Sequence, residues 1–239
     1  MAGKFGLEIR RTGKLSDFDA AAIKVIDRVT PFTMTSPDRI FSLIQATRYV
    51  AKAGIPGSIV EAGVWRGGSA MAAAIELRAH GDTSRDIYLY DTYEGMSEPG
   101  KEDVDFRGQA AEAQLASSER TKNSSIWAYS PVEDVRRNLI STGYPADRMH
   151  FIKGKVEDTI PGEVPEQIAI LRLDTDWYES TKHEMEHLYP RLVSGGVLIL
   201  DDYGHWQGAR QAVDEYIAAH SLNLLLNRID NTGRIALKP

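Results

Sequence analysis

Cysteine is absent from all 239 residues, which excludes disulfide bonds, thiolate zinc sites and cysteine nucleophiles. No segment approaches the roughly 20 consecutive apolar residues that span a bilayer, so we expect no membrane partner. Excess positive charge is also lacking, because the formal net charge is -6, and we expect no nucleic-acid partner. Residues 1–14 are polar and lack the apolar segment of a signal peptide. The expected location is the cytoplasm.

The composition is that of an ordinary soluble globular protein, with 42% hydrophobic and 26% charged residues. A chain of this length fits one domain, and neither a linker nor a repeat divides residues 1–239. The beginning of the chain is helical, because its pattern predicts helices over residues 17–29 and 39–53. Asp17 is a candidate cap of the first helix, and Ser36 is the expected cap of the second.

Strand and helix patterns alternate after residue 57, which predicts a mostly parallel sheet with helices on both faces. Five parallel strands are expected, at residues 58–62, 87–90, 149–153, 168–173 and 197–200. Two closing strands are expected at residues 222–229 and 234–237, joined by a turn of hairpin composition, which adds an antiparallel strand. The helices of this region are expected at about residues 69–79, 109–118, 132–141, 178–192 and 208–220.

The loop after the first strand contains an acidic residue and several glycines, at residues 61–69. It matches neither G-x-G-x-x-G nor a P-loop, and Glu61 would repel a phosphate but could pair with an ammonium group. Gly63 allows the backbone to pass close to a ligand. Asp91 ends the second strand, where a carboxylate binds ribose hydroxyls in folds of this kind. The pattern favours a nucleoside cofactor without phosphate; the alternative is an ordinary turn and a helix cap.

Aspartates end two later strands that follow one another along the chain. Asp174 ends one buried strand, and Asp201 and Asp202 end the next. Since ligands bind at the carboxyl ends of parallel strands, these carboxylates are expected at one edge of the sheet. Gathering them is unfavourable without a cation, and oxygen ligands suit a hard metal such as magnesium. The alternative is a pair of turns. His205 follows directly and could reach a substrate.

Six motifs, taken together and in order, resemble the macrocin O-methyltransferase family, bacterial enzymes that methylate sugar hydroxyls of macrolide and aminocoumarin antibiotics. The resemblance extends from Met34 to the end of the chain. The motifs are residues 33–37 (TMTSP), 60–69 (VEAGVWRGGS), 90–95 (YDTYEG), 154–161 (GKVEDTIP), 171–180 (LRLDTDWYES) and 195–203 (GGVLILDDY).

The resemblance implies the class I S-adenosylmethionine-dependent methyltransferase fold, which is Rossmann-like, with a seven-stranded sheet whose last strand is antiparallel. Residues 1–56 would be a helical region that covers the cofactor, and residues 57–239 the α/β core. The cofactor contacts that it implies are Glu61, Gly63, Ser69 and Asp91, with Glu157 and Asp158 near the adenine and Met34 and Thr35 in a covering segment. It implies Asp174, Asp201 and Asp202 as magnesium ligands, Asp176 as general base, and a homodimer.

The expected function is methyl transfer from S-adenosylmethionine to a hydroxyl of a small molecule, a sugar of a glycosylated natural product by resemblance. A bound divalent cation would stabilise the developing alkoxide. The alternatives are a catechol-type phenolic methyltransferase, a nicotinamide dehydrogenase and a non-catalytic protein that binds a nucleoside. Residues 97–127 and the N-terminal helix should border the acceptor, but their composition does not identify it. Whether Asp176 or His205 is the base stays open at this point.

Overall fold

The computed structural model describes residues 17–119 and 126–239, so the expectation for residues 1–14 lies outside it. The helices are α1 (Ala20–Val29), α2 (Pro37–Ala53), α3 (Gly68–Ala79), α4 (Ala111–Ala116), α5 (Val132–Ile140), α6 (Val156–Thr159), α7 (Tyr178–His187) and α8 (Gln207–Ala219). The strands are β1 (Ser58–Ala62), β2 (Ile87–Asp91), β3 (Met149–Lys153), β4 (Ile168–Leu173), β5 (Leu192–Leu200), β6 (Asn227–Arg228) and β7 (Arg234–Leu237). None of the described helices is long and apolar enough to cross a membrane.

The seven strands form one sheet in the order β3-β2-β1-β4-β5-β7-β6. Strands β1 to β5 are mutually parallel, and β7 runs antiparallel to its neighbours β5 and β6. This confirms the predicted mostly parallel sheet with an antiparallel strand near its end. The strand order reverses between β1 and β4, so the carboxyl ends of these two strands flank the crevice where ligands bind in open α/β sheets.

Alternate residues of the central strands pack into two separate cores, as the two-residue period of a strand requires. Ile59 and Ile170 face the layer that contains α1, α2, α3 and α5. Val60 and Leu171 face the opposite layer, which contains α7 and α8. Since both faces are covered, the central strands are buried along their whole length.

The N-terminal helices begin and end where capping chemistry dictates. The Ser36 side chain accepts the backbone N–H of Arg39 at the start of α2, and Gly54 ends that helix in the left-handed conformation with φ 64°. This confirms the predicted cap. The cap of α1 is Asp19, which accepts the N–H of Ala22 at 2.9 Å, so the assignment of Asp17 was wrong.

The predicted bounds were wrong at three places in the second half of the chain. The helix expected to continue to residue 192 ends at His187, and a 3-10 turn that includes Pro190 follows it. Strand β5 already begins at Leu192, with a register shift against β4. The first closing strand is only Asn227–Arg228, because just these residues pair with β7.

Candidate active site

A cavity of about 500 Å³ lies at the carboxyl ends of the parallel strands. It is the place where the predicted site residues converge. Those that line it are Met34, Thr35, Glu61, Gly63, Ser69, Asp91, Glu157, Asp174, Asp176, Asp201, Asp202 and His205. Asp158 is not among the lining residues.

Gly63 brings the loop after β1 directly against the loop after β4. Its φ is 83°, and a Cβ atom added there would lie 1.9 Å from the carbonyl oxygen of Asp174. The backbone N–H of Asp174 donates to the carbonyl of Ala62 at 2.9 Å. The two strand ends therefore approach as closely as their backbones allow, and only glycine fits between them.

Substitution of Gly63 by Ala is expected to lower the free energy of unfolding by roughly 3 kcal/mol or more, because the overlap forces the two loops apart. Gly81→Ala is a matched control, since Gly81 has a φ of 74° and a Cβ atom added there would meet no other atom within 4 Å. The control contains only backbone strain, about 1 to 2 kcal/mol. Urea unfolding measures the free energy of unfolding of both variants. An equal loss in the two variants would contradict the close approach of the two loops at Gly63.

Asp91 organises the loop after β1 with both of its carboxylate oxygens. Oδ2 accepts the N–H groups of Val64 and Trp65 at 2.7 and 2.9 Å, and Oδ1 accepts the N–H of Tyr93 at 2.6 Å. Trp65 and Tyr93 both have positive φ angles, 49° and 53°. Burial raises the pKa of Asp91, although these three hydrogen bonds oppose the shift. The carboxylate therefore supports the cavity wall as well as facing its interior.

Glu61 presents a buried oxygen to the cavity. Oε1 accepts a hydrogen bond from Arg172 at 2.7 Å. Oε2 is buried and has no hydrogen-bond partner among the described residues. Burial raises the pKa of Glu61 to about 7. An unpartnered buried oxygen of this kind is suited to a cationic or hydrogen-bond-donating group of a ligand.

The predicted aspartate cluster is present at the sheet edge. Asp174, Asp201 and Asp202 each offer one oxygen atom, and these atoms all lie within 4.8 Å of one another. Oδ2 of Asp202 is buried without a hydrogen-bond partner in the described part of the chain. Burial and the charges of neighbouring aspartates raise the pKa of Asp174 and Asp202 well above the usual value. The donor set and the unpartnered oxygen fit a hard divalent cation.

Two arginines that the sequence reasoning missed contact this cluster. Arg172 donates to Asp174 at 2.7 Å and to Asp201 at 2.6 Å, in addition to Glu61. Arg39 forms an ion pair with the other oxygen of Asp201. A signal for Arg172 was available, because a charged residue in the apolar run of β4 requires a buried counter-charge.

Asp176 lies in the turn after β4, with a φ of 70°. Its Oδ1 accepts the indole N–H of Trp206 at 2.9 Å, and its carboxyl group is within hydrogen-bonding reach of Asp202. Burial, together with the charge of Asp174, raises the pKa of Asp176 to about 7. A carboxylate with such a pKa can accept a proton near neutral pH.

His205 also lines the cavity. Its ring packs edge-on against Phe106 at 5.6 Å and against Trp206 at 4.8 Å between ring centroids. Burial lowers its pKa, so the imidazole is neutral near pH 7 and could also accept a proton. Phe106 belongs to the segment that was expected to border the acceptor, and its side chain is exposed.

The segment that contains Met34 and Thr35 lies over the buried charges. The Thr35 hydroxyl accepts a hydrogen bond from Arg172 at 2.9 Å, while the Met34 side chain is exposed. Ser36 donates to Asp230 at 2.6 Å in the turn that precedes β7. The segment is therefore held both by the sheet and by the closing hairpin.

Comparison with known proteins gives matches along most of the chain. The family model described as Macrocin-O-methyltransferase (TylF) matches residues 18–237. A Streptomyces olivaceus protein named 8-demethyl-8-(2,3-dimethoxy-alpha-L-rhamnosyl)-tetracenomycin-C 4'-O-methyltransferase is 37% identical over 201 residues, 84% of this chain and 73% of the relative. The Demethyldecarbamoylnovobiocin O-methyltransferase of Streptomyces niveus is 34% identical with the same coverage, 84% and 73%. The solved structure of the O-methyltransferase NovP matches with a TM-score of 0.75 and 32% identity, over 87% of this chain and 82% of that chain.

Proposed function

The chain belongs to the macrocin O-methyltransferase family, and we propose that it transfers a methyl group from S-adenosylmethionine to a sugar hydroxyl of a glycosylated natural product. It is an S-adenosylmethionine-dependent O-methyltransferase with the class I fold. The observation that best supports this more specific proposal is that Asp174, Asp201, Asp202 and Asp176 line one cavity.

The names of the relatives support a glycosylated acceptor. One relative is named for 4'-O-methylation of a rhamnosyl-tetracenomycin and the other for O-methylation of a novobiocin precursor. Both names describe antibiotic compounds rather than simple phenols. A sugar acceptor is therefore a better proposal for this chain than a catechol, and biosynthesis of an antibiotic or related natural product is its proposed context.

The cavity walls suit S-adenosylmethionine. The unpartnered oxygen of Glu61 is available to the ammonium group of the methionine part, and an acidic residue there disfavours a phosphate-bearing cofactor. We propose that Gly63, Ser69, Asp91 and Glu157 line the remainder of the cofactor site. The other members of the proposed set are Met34 and Thr35, which cover it; a contact from Asp158 has no support from the cavity lining.

Asp174, Asp201 and Asp202 would hold Mg²⁺ or another divalent cation. When bound, the cation supplies positive charge that stabilises negative charge on the acceptor oxygen. Arg172 and Arg39 already neutralise part of the charge of Asp201. Asp202 is the ligand with an unpartnered oxygen, so it has the most to gain from the cation.

Asp176 is the proposed general base. The acceptor oxygen forms a bond to the methyl carbon, the bond from this carbon to sulfur breaks with its electron pair going to sulfur, and the hydroxyl proton passes to Asp176. The hydrogen bond from Trp206 fixes the orientation of the carboxylate. Proximity and alignment supply most of the acceleration, since a methyl sulfonium is already a strong electrophile. His205 is the alternative base.

The N-terminal helices are proposed to belong to the same domain as the α/β core. Residues of α1 and α2 share one hydrophobic cluster with α3 and with β1. This shared core is what a single domain would show. Homodimer formation through the N-terminal region stays part of the proposal.

The test is a methyl-transfer assay with S-adenosylmethionine and a panel of acceptors that contains glycosylated antibiotics and catechol. We expect mass spectrometry to detect a methylated sugar on a glycoside. Calorimetry should show binding of S-adenosylmethionine, and spectral titration should show none of a nicotinamide cofactor. Preferential methylation of catechol would overturn the sugar acceptor.

The same assay separates the two candidate bases. Asp176→Asn should lower kcat by about 10² to 10⁴, the usual contribution of a general base. His205→Gln should lower kcat by less than about tenfold, because it removes only a neighbouring ring. The reverse order of losses would assign the base to His205.

A further inference from the structure

Glu184 is a carboxyl group inside the protein that the proposed reaction does not use. It lies on α7, and its relative exposure is 0%. Its Oε2 accepts a hydrogen bond from the hydroxyl of Thr175 at 3.1 Å. Its Oε1 is buried and has no hydrogen-bond partner in residues 17–119 and 126–239. One oxygen of this carboxyl group is therefore hydrogen-bonded, and the other oxygen is not.

The surroundings of Glu184 do not compensate a negative charge. The charged groups that act on it are Glu157 and Asp174, both acidic. No ion pair with a described cationic side chain involves it. Burial therefore raises the pKa of Glu184 well above the usual value, and the charges of Glu157 and Asp174 act in the same direction. A buried polar group left partly unpaired destabilises a fold by about 1 to 3 kcal/mol.

The partner of Glu184 is the residue between two proposed functional aspartates. Thr175 follows Asp174 and precedes Asp176. The carbonyl of Thr175 accepts the N–H of Trp177 at 2.9 Å, which closes a tight turn. Asp176 has the left-handed conformation in this turn, a strained conformation that persists only when neighbouring contacts hold it.

Helix α7 is a firm support for this turn. The hydroxyl of Ser180 donates to the carbonyl of Trp177 at 3.1 Å. The ring of His183 is hydrogen-bonded to the carbonyl of Ile160 at 2.8 Å. The Thr175–Glu184 hydrogen bond thus ties the middle of the turn to a helix that is itself hydrogen-bonded to Ile160, directly after α6.

We infer that Glu184 is a positioning residue, whose hydrogen bond with Thr175 holds the turn that presents Asp174 and Asp176 to the cation and the acceptor. The inference rests on the proposed function of these two aspartates. It explains why an apolar side chain, which would pack in the same space without an unsatisfied oxygen, does not occupy the position. The unsatisfied oxygen of Glu184 lowers the stability of the fold, while its hydrogen bond with Thr175 maintains the geometry of the site.

Replacement of Glu184 by Met tests the inference, because Met fills a similar volume without a good acceptor. We expect the melting temperature to rise or stay level. Both kcat and the affinity for Mg²⁺ measured by calorimetry should fall by about tenfold or more, the range for residues that orient metal ligands. Affinity for S-adenosylmethionine and the KM for the acceptor should change by less than about threefold.

Three further variants complete the test. Glu184→Gln keeps an acceptor for Thr175 and should keep kcat and Mg²⁺ affinity within about threefold. Thr175→Val should reproduce the losses of Glu184→Met, and the double variant should lose no more, since one interaction is removed either way. Met185→Leu, a buried neighbour on α7, controls for repacking of the helix.

The outcomes that overturn the inference differ from those that overturn the proposed function. Unchanged kcat and Mg²⁺ affinity in Glu184→Met, or a loss accompanied by a lower melting temperature and weaker S-adenosylmethionine binding, would make Glu184 a structural residue only. Absence of methyl transfer by the unmodified enzyme would overturn the proposed function. In that case the Mg²⁺ calorimetry of the same variants still decides whether Glu184 positions Asp174.

Discussion

Substitution of Asp202 by Asn is expected to lower the rate of methyl transfer by about a thousandfold or more, while affinity for S-adenosylmethionine stays within about threefold. The amide keeps the shape of the side chain but removes the charge that would hold the cation. Loss of Lewis-acid stabilisation is worth several kcal/mol, and each 1.36 kcal/mol, roughly, is a factor of ten in rate. Turnover assays and calorimetry of the same preparation measure the two quantities.

Asp202 is a better target than Asp201 because of the arginines. Asp201 forms ion pairs with both Arg172 and Arg39, so its replacement would also remove these two ion pairs and disturb the fold. Asp202 has an oxygen with no partner in the described ranges, and its replacement leaves the arginine contacts in place. The activity that remains should therefore report on the proposed metal site and the adjacent Asp176, and not on general unfolding.

A control variant and a chelator complete this experiment. Asp82→Asn changes a carboxylate that pairs with Arg85, and Asp82 does not line the cavity, so this variant should retain full activity. Excess chelator should lower the activity of the unmodified enzyme to that of Asp202→Asn, and Mg²⁺ should restore it. Full activity in Asp202→Asn, or in excess chelator, would remove the metal from the mechanism.

The central strands could be predicted from the sequence because each is a short apolar run bounded by polar residues. The structure confirms β1, β3 and β4 with the predicted bounds. Strand β5 was predicted too short because Gly195 and Gly196 interrupt its apolar pattern. These glycines lie at the register shift between β5 and β4. The pairing of these two strands is a contact between distant parts of the chain, which a local sequence pattern cannot show.

The carboxylate cluster could be predicted because strand ends of a parallel sheet converge. Asp174 and Asp201 end neighbouring strands, so alignment of β4 with β5 is sufficient to bring them together. The side chains that support the cluster could not be found in the same way. Glu184 lies on α7, whose sequence pattern is that of an ordinary amphipathic helix, and Arg39 lies on α2. Neither pattern indicates that these side chains lie close to the aspartates.

The cavity lining separates two acidic residues that the motif does not separate, Glu157 and Asp158. Asp158 follows Glu157 in the short helix α6, and successive residues of a helix point about 100° apart. Glu157 lines the cavity and Asp158 does not. The cavity lining therefore supports the predicted cofactor contact of Glu157 and not that of Asp158, and both contacts stay predictions.

Substitution of Arg172 by Met is expected to lower the free energy of unfolding by about 3 to 5 kcal/mol, the usual loss when one partner of a buried ion pair is removed. Arg172 lies in β4 directly across from Glu61 in β1. Its guanidinium contacts Glu61, Asp174 and Asp201 at 2.6 to 2.7 Å. Met has a similar length and no charge, so the variant leaves Glu61 and Asp174 without their cationic partner and Asp201 with Arg39 alone.

A surface ion pair provides the matched control for this loss. Arg210 pairs with Asp214 at 3.4 Å on α8, where both side chains are about half exposed or more. Arg210→Met should change the free energy of unfolding by less than about 1 kcal/mol, because water already screens the pair. Urea unfolding in the presence of chelator measures both variants without interference from metal ions.

Added Mg²⁺ should recover part of the stability that Arg172→Met loses. A divalent cation bound to Asp174 and Asp201 compensates the same carboxylates that the guanidinium contacts. Binding to the folded state alone raises the free energy of unfolding with ligand concentration. The unfolding midpoint of the variant should therefore rise more steeply with Mg²⁺ than that of the unmodified protein. Equal slopes would mean that the cation does not bind to the carboxylates that Arg172 contacts, and would contradict the proposed metal site.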